Sequence, residues 1–358
     1  MRLDVVLIGF GNVARRFVRL LAEQKRNLLR EGADVRIVGI ATRRHGQVYS
    51  ARGVDAVRLA DRVEQGAGVG APVRESAEAF IRHATARSAA AARQGRLVVV
   101  ETTTLDIVRG QPAIDHVRAA LKGGAHVVTA NKGPAAFAYR TLAAAAGRAG
   151  RRFLFEGAVM DGIPIFNLVR ETLPGVAIAG FRGVVNSTTN YILTAMESGE
   201  SFDAALAAMQ RAGIAEADAS FDVDGWDAAA KTAALANVLL GARLTPASVA
   251  REGIAGLAER RVAAARRKGR RLKLVARAER DGAAVRASVA LEELAGDDLL
   301  AGLDGQQNAL VLHTDLLGEV AIVQRGSGLT PTAYALVSDL ITIARQHPTA
   351  GRVPATRR

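Results

Sequence analysis

The feature that most constrains this chain is a glycine loop directly after its first apolar run. Residues 3–8 read as a strand, and the loop at 9–14 opens a helix. The first glycine permits a tight turn, the second lets the backbone approach a pyrophosphate, and Ala14 is small enough for close packing of helix on strand. We predict that a dinucleotide lies on the N-terminus of this helix and contacts Gly9, Phe10, Gly11, Asn12 and Val13. A glycine turn without a ligand is the alternative.

The first 132 residues alternate strand-like with helix-like segments, which is typical of a parallel sheet with crossover helices. Strands are predicted at 4–8, 35–41, 97–100 and 126–129, with a further edge strand at 153–155. Helices are predicted at 12–30, 76–93 and 114–122. The fold class that follows is α/β, with a Rossmann-type dinucleotide-binding domain over residues 1–150.

The rest of the chain has a different pattern, which predicts a second domain over residues 151–325. Helices are predicted at 202–212, 226–240 and 330–345, and a hairpin at 272–279 and 284–291 around Asp281-Gly282. We interpret this part as an α+β catalytic and dimerisation domain. The alternating apolar faces of the hairpin need a partner, and edge pairing across a twofold axis would supply one. Residues 346–358 are predicted to be a loose tail.

Composition excludes several classes of protein. With no cysteine, the chain has no disulfide framework, thiol nucleophile, iron–sulfur cluster or cysteine zinc site. The net charge of +13 comes mostly from 42 arginines scattered among alanines, against only 6 lysines, and the densest basic run, 260–271, lacks aromatic residues for base stacking. We therefore expect no nucleic-acid partner. With no signal peptide and no run near the roughly 20 apolar residues of a membrane helix, we expect a cytoplasmic protein without a membrane partner.

The residues after the second predicted strand bear on the choice of cofactor. NAD-selective sites carry an acidic residue there for the ribose hydroxyls, whereas this chain has Thr42-Arg43-Arg44. The guanidinium groups of Arg43 and Arg44 could hold a 2′-phosphate by paired hydrogen bonds. We predict NADP(H) as the preferred cofactor, with NAD(H) also possible. The alternative is that both residues belong to the general arginine excess.

A cluster of carboxylates between residues 216 and 227 precedes one of the few lysines, Lys231. Asp227 and Lys231 are four residues apart on a predicted helix, so they share a face about 5–6 Å apart. The following turns are apolar, which predicts a buried helix start. Lysine responds to burial by changing its pKa, so it can transfer a proton where arginine cannot. An ordinary surface ion pair is the alternative.

Together these motifs resemble the homoserine dehydrogenase family over most of residues 1–345. The matching stretches are 9–14, 129–132, 156–164, 185–193, 213–218, 225–231 and 326–333. The stretch Asn186-Ser-Thr-Thr-Asn190-Tyr-Ile-Leu and the spacing of Glu216, Asp227 and Lys231 are highly specific. The glycine loop, in contrast, is shared with many dehydrogenases.

The resemblance implies NAD(P)-dependent interconversion of L-aspartate 4-semialdehyde and L-homoserine, on the route to threonine, methionine and isoleucine. Lys231 would donate and accept the proton at the substrate oxygen, Asp227 would position substrate and lysine, and Glu216 would bind the substrate amino group. Lys132 would lie near both nicotinamide and substrate. Direct hydride transfer fits these residue types, because an ammonium can stabilise and protonate the developing alkoxide.

The resemblance also implies further ligand contacts. The cofactor would meet Thr102, Thr103, Gly213, Gly326 and Gly328, and the helix at about 326–345 would return to the first domain. Main-chain oxygens of Glu156, Val159, Asp161 and Ile163 would bind a sodium ion, although a Gly/Pro turn without metal fits the same residues. We expect a homodimer, and a short form without a C-terminal regulatory module.

Two rival functions remain open. A different NADP-dependent oxidoreductase, acting on a sugar or a bulkier aldehyde, would not require Glu216. A dinucleotide sensor or a basic nucleic-acid binder without catalytic activity would keep the glycine loop and tolerate Lys231→Ala.

Overall fold

A computed structural model describes residues 1–73, 75–211, 218–326 and 328–345. Two predicted site residues, Gly213 and Glu216, and the predicted tail at 346–358 lie outside the described residues. Within the described ranges, no helix is both long and apolar enough to cross a lipid bilayer.

The first half of the chain forms a sheet of six strands in the order β3-β2-β1-β4-β5-β6, parallel except for β3. The strands are β1 (Arg2–Ile8), β2 (Asp34–Ala41), β3 (Gln47–Tyr49), β4 (Leu97–Glu101), β5 (His126–Thr129) and β6 (Phe153–Leu154). All five predicted strands are confirmed, and β6 lies at the edge. The central strands are Val-rich and buried on both faces, as expected of a parallel sheet between helices.

In the described part of the first half, the helices are α1 (Asn12–Glu23), α2 (Lys25–Arg30), α3 (Ala56–Glu64), α4 (Ala77–Arg87), α5 (Ala89–Arg93), α6 (Ala113–Lys122) and α7 (Gly133–Ala149). The predictions of unbroken helices at 12–30 and 76–93 were wrong. Each is interrupted at one residue, Gln24 and Ser88, whose backbones leave the helical region. At Ser88 the hydroxyl lies 2.9 Å from the Tyr49 hydroxyl.

The second part contains another six-stranded sheet, in the order β12-β11-β7-β9-β10-β8. Its strands are β7 (Ile178–Val184), β8 (Ala250–Arg251), β9 (Arg270–Asp281), β10 (Ala284–Ala295), β11 (Asn308–Thr314) and β12 (Gly318–Gln324). The predicted hairpin is confirmed as β9 and β10, which pair antiparallel over their whole length. Strands β7, β8, β11 and β12 were not predicted.

The hairpin finds its partners within the chain. On its outer sides β9 pairs with β7 and the two-residue β8 pairs with β10. One apolar face, with Leu272 and Leu274, belongs to the same core as helix residues Ala229 and Ala233. Helices of the same chain therefore cover this face. Edge pairing with a second subunit stays a prediction, because β8 pairs with only Ser288 and Val289 on the outer edge of β10.

Helices of the second part pack on that sheet, and the last helix joins the first core. These helices are α8 (Ser187–Glu197), α9 (Phe202–Arg211), α10 (Ser220–Val223), α11 (Trp226–Leu239), α12 (Glu259–Arg267) and α13 (Leu329–Arg345). The predicted helices at 202–212, 226–240 and 330–345 correspond to α9, α11 and α13 within the described residues. Leu336 and Leu340 of α13 share one apolar cluster with Leu7 and Ala14, so α13 packs on α1.

Candidate active site

The glycine loop after β1 has the geometry that a dinucleotide needs. Gly9 has φ +91°, and a Cβ there would lie 2.8 Å from the backbone of Thr102, so this turn requires glycine. Gly11 is the N-cap of α1, and a Cβ there would meet no atom within 4 Å in the described structure. Because no side chain caps α1, its first N–H groups are available to a phosphate.

A groove of about 560 Å³ runs from this loop past the carboxyl ends of β2 and β4. Its walls bring together seven of the predicted cofactor residues, namely Gly9, Phe10, Gly11, Arg43, Arg44, Thr102 and Thr103. The strand order reverses between β1 and β4, the place where open α/β sheets bind their ligands. Asn12 and Val13, on the first turn of α1, are not part of these walls, and neither are Gly326 and Gly328 before α13.

The turn after β2 fits a phosphate-bearing ligand. Its shape is fixed by hydrogen bonds from the N–H of His45 to the Thr42 hydroxyl (2.7 Å) and from the N–H of Thr42 to the Gly46 carbonyl (3.1 Å). Arg43 and Arg44 are exposed at its tip and form no ion pair within the described ranges. Two guanidinium groups without an ion pair in the described residues therefore lie beside the groove.

The second cluster of functional side chains is centred on Asp227. One carboxylate oxygen lies 3.1 Å from Nζ of Lys132, and the other lies 2.9 Å from Nζ of Lys231. Lys231 also donates to the Val185 carbonyl at 2.7 Å. Asp227 lies in the first turn of α11, Lys132 is the N-cap of α7, and α7 packs on α11. The structure thus brings the three predicted residues together across two helices.

The charges in this cluster control one another. Burial by itself would raise the pKa of Asp227, but the ammonium groups of Lys132 and Lys231 outweigh it and hold that pKa below its ordinary value. Burial would lower the pKa of Lys231, but Asp227 and Asp161 outweigh it and raise that pKa. Lys231 is therefore a protonated acid at neutral pH, and Asp227 is its anion.

Two residues of this cluster were not predicted as site residues. Asn186 donates from Nδ2 to Asp222 (2.7 Å) and to Asp227 (2.9 Å), while its side-chain oxygen caps α8 by accepting from the N–H of Thr189 (2.8 Å). Burial and the nearby Asp227 raise the pKa of Asp222. An Asn before a helix reads first as a cap, so its second role had no separate signal in the sequence.

The loop at 156–163 is strained. Met160, Asp161 and Gly162 are all left-handed, with φ of 52°, 47° and 84°, and the two residues that are not glycine each cost about 1–2 kcal/mol. The buried carboxylate of Glu156 accepts from the N–H groups of residues 165–167 at 2.6–2.9 Å. Any cation here would have to use main-chain oxygens, because no group of three or more acidic or histidine side chains with metal-site spacing occurs in the described part of the chain.

Comparisons with known proteins agree over almost the whole chain. A family model described as homoserine dehydrogenase, NAD binding domain, matches residues 9–156, and one described as homoserine dehydrogenase matches residues 164–341. The NAD(+)-dependent homoserine dehydrogenase of Pseudomonas canavaninivorans is 38% identical over 341 residues, covering 95% of both chains. The homoserine dehydrogenase of Methanocaldococcus jannaschii is 34% identical, covering 95% of this chain and 98% of the relative.

Solved structures give the same result. A homoserine dehydrogenase from Thiobacillus denitrificans matches with a TM-score of 0.79 and 30% identity, over 97% of this chain and 74% of that one. A hyperthermophilic archaeal homoserine dehydrogenase mutant, solved in complex with NADPH, matches with a TM-score of 0.79 and 28% identity, over 98% and 100%.

Proposed function

We infer a working mechanism from the premise that this chain belongs to the homoserine dehydrogenase family of NAD(P)-dependent oxidoreductases. The enzyme interconverts L-aspartate 4-semialdehyde and L-homoserine. The observation that carries the mechanism is the contact of Lys132 and Lys231 with the buried carboxylate of Asp227.

In the reduction, we propose that Lys231 protonates the substrate oxygen. The reduced nicotinamide, when bound, supplies the hydride that the aldehyde carbon accepts. Lys231 carries the proton that the resulting alkoxide needs, and its raised pKa keeps that proton in place until charge develops on the oxygen. Asp227 holds Nζ of Lys231 and Nζ of Lys132 on either side of one carboxylate. Glu216 is proposed to bind the α-ammonium group, as the family resemblance implies.

This mechanism is tested by following absorbance at 340 nm with L-homoserine and either cofactor. Wild type should turn over homoserine, and Lys231→Met should lose at least about 100-fold in kcat. Lys268→Met is the matched control, because Lys268 is exposed and pairs only with Glu293 at 3.6 Å in the described structure. Turnover by Lys231→Met at the wild-type rate would reject the proton relay, and no turnover by wild type would reject the substrate.

We propose that NADP(H) is preferred over NAD(H) because of Arg43 and Arg44. The relatives include both an enzyme named as NAD(+)-dependent and one solved with NADPH, so family membership leaves this choice open. Losing one charged phosphate contact is worth about 1.5–3 kcal/mol, so Arg43→Ala should lower kcat/KM for NADP(H) by about 10- to 100-fold and leave NAD(H) nearly unchanged. Equal losses with both cofactors would contradict the assignment.

We also propose that the carbonyls of Glu156, Val159, Asp161 and Ile163 hold a sodium ion. The support is the left-handed backbone at Met160 and Asp161, because strain of this kind persists where a functional site needs it. One carbonyl, that of Ile163, already accepts from the N–H of Ile165 at 2.9 Å. Replacing sodium by the bulky tetramethylammonium ion at constant ionic strength should lower activity or Tm, and no change in either would reject the site.

We propose a cytoplasmic homodimer. Strand β12 is one edge of the second sheet, and Val323 on it is exposed, as are Leu316 and Leu317 in the preceding turn. Two copies of an edge strand can pair antiparallel across a twofold axis. Light scattering should give twice the chain mass, and a monomer at micromolar concentration would contradict this. Recovery of the protein in the membrane fraction of cells would contradict the compartment.

A further inference from the structure

A buried carboxylate that the proposed mechanism does not use lies at the end of β4, beside the cofactor groove. Glu101 is 0% exposed, and the three residues that follow it line the groove. Burying a charged side chain is costly unless its oxygens are hydrogen-bonded, so the partners of Glu101 indicate what it does.

Both oxygens of Glu101 act as acceptors. One accepts from the Thr103 N–H at 3.0 Å and from the Thr103 hydroxyl, and the other accepts from the Thr129 hydroxyl at 3.0 Å. The direction at Thr129 follows from a further bond, since its hydroxyl oxygen accepts from the Asn131 N–H at 2.9 Å and its hydrogen is left for Glu101. Nδ1 of His116 lies 3.4 Å from the carboxylate. Two accepting oxygens are what a carboxylate offers and an amide does not.

The same hydrogen-bond network continues to the residues on either side of Lys132, the lysine proposed to contact substrate. Nδ2 of Asn131 donates to the Thr103 carbonyl at 2.9 Å, and its Oδ1 accepts from the N–H of Gly133 at 2.8 Å. Lys132 therefore lies between two residues that the network holds, and its Nζ reaches Asp227. A continuous set of hydrogen bonds joins the loop after β4 to the loop after β5.

We propose that Glu101 is a positioning residue that fixes the cofactor loop at 102–104 relative to Lys132. It acts through Thr103 on the cofactor side and through Thr129 and Asn131 on the substrate side, so the two binding sites keep one relative placement. This role rests on the proposed function, in which Thr103 contacts cofactor and Lys132 contacts substrate.

The test is Glu101→Gln, which keeps the shape of the side chain. Because glutamine has one acceptor oxygen, either Thr103 or Thr129 must face an amide N–H whichever way the amide is turned. An unsatisfied buried donor of this kind weakens an interaction by about tenfold. We expect the Kd of NADPH and of NADH, measured by nucleotide fluorescence with the substrate-free protein, to rise about tenfold, and KM for homoserine to rise with it.

Two further variants keep the test decisive. Thr129→Val removes the hydrogen bond from the Thr129 hydroxyl to Glu101 and keeps the carboxylate itself. This variant should raise KM for homoserine more than the Kd of the nucleotides. Thr85→Val is the matched control, because Thr85 is also buried and, among the described residues, its hydroxyl donates to the Arg82 carbonyl (3.0 Å) within α4. It should bind nucleotide and homoserine like wild type.

The outcomes separate this role from plain stabilisation and from the proposed function. If Glu101→Gln and Thr129→Val lower Tm but keep wild-type Kd and KM, Glu101 is structural only and the proposal is wrong. Wild-type turnover of homoserine with an unchanged Kd in Glu101→Gln rejects the positioning role alone. No wild-type turnover, together with weakened nucleotide binding in Glu101→Gln, rejects the substrate and keeps the cofactor side of the role.

Discussion

Replacing Asp227 by asparagine removes the carboxylate that both lysines of the site contact. Its oxygens lie 3.1 Å from Nζ of Lys132 and 2.9 Å from Nζ of Lys231, and the side chain is buried. At an effective dielectric constant of about 20, attraction across such a distance is about 5–6 kcal/mol per pair. Breaking a buried pair by removing one partner typically costs about 3–5 kcal/mol, because the remaining charge stays desolvated.

Asp227→Asn should therefore lower kcat/KM for L-aspartate 4-semialdehyde by about 100-fold or more at pH 7. The pH profile supplies a second measurement. In wild type the raised pKa of Lys231 keeps the acid protonated, so reduction is lost only at high pH. Without Asp227, burial lowers that pKa, and the descending limb of the profile moves to lower pH.

The assay follows NADPH oxidation at 340 nm between pH 6 and pH 10. Asp224→Asn is the matched control, since it removes the same charge three residues earlier, from a half-buried side chain without an ion pair in the described structure. It should keep the wild-type limb. A loss below about fivefold in Asp227→Asn, with the limb unmoved, would refute the assignment of Asp227 as the anion of Lys231.

Three further predictions concern the supporting structure. Gly11→Ala should leave Tm unchanged and weaken NADPH binding, because the added Cβ meets only the open groove. Gly9→Ala should cost about 1–3 kcal/mol of stability, because Gly9 has φ +91° and a Cβ there would lie 2.8 Å from backbone. Equal losses of Tm in the two variants would contradict this. Arg251→Ala removes the guanidinium that lies 3.8 Å above the ring of Trp226, which is the sole tryptophan and the neighbour of Asp227. The fluorescence emission of Trp226 should shift to the red, and kcat/KM should fall about threefold. An unchanged spectrum would contradict the contact. Burial and the nearby Glu156 raise the pKa of Asp339 to about 7, so the folded state binds this proton more tightly than the unfolded state. The free energy of unfolding should therefore fall by up to about 4 kcal/mol as the pH rises from about 4 to about 7. An equally steep pH dependence in Asp339→Asn would reject Asp339 as its source.

The sequence predicted the first sheet well because two independent patterns agree there. The glycine loop fixes where β1 ends, and Val-rich runs such as Leu97–Glu101 are short, apolar and bounded by turns. Strand β7 was missed for a physical reason. β7 contains two glycines, at 180 and 183, and a Cβ at either would approach the backbone of a neighbouring strand to within 3 Å, at 2.9 and 2.4 Å. A strand selected for close backbone approach loses the β-branched signature that identifies strands.

The site was predictable where a side chain carries the chemistry and not where contacts between loops do. Asp227 and Lys231 share a helix, so their spacing predicts their contact. Lys132 is 95 residues before Asp227, and only the packing of α7 on α11 brings them together. Glu101 carried no signal at all, because a glutamate at a strand end reads as a solvated residue until its burial is known.

The scarcity of lysine predicts neither burial nor catalysis by itself. Of the 6 lysines, Lys25, Lys122 and Lys268 are exposed, whereas Lys132 and Lys231 are half-buried in the site. The remaining lysine, Lys273, is fully buried on β9 of the second sheet, whereas the groove lies at the first sheet. Its ammonium group donates to Oδ1 of Asn190 at 2.8 Å and to the Leu303 carbonyl. An ammonium on a thin stem fits between such acceptors, where the planar fork of arginine would not. What distinguishes Lys231 from Lys273 is the carboxylate: Asp227 raises the pKa of Lys231, while burial without a close anion lowers the pKa of Lys273 to about 8.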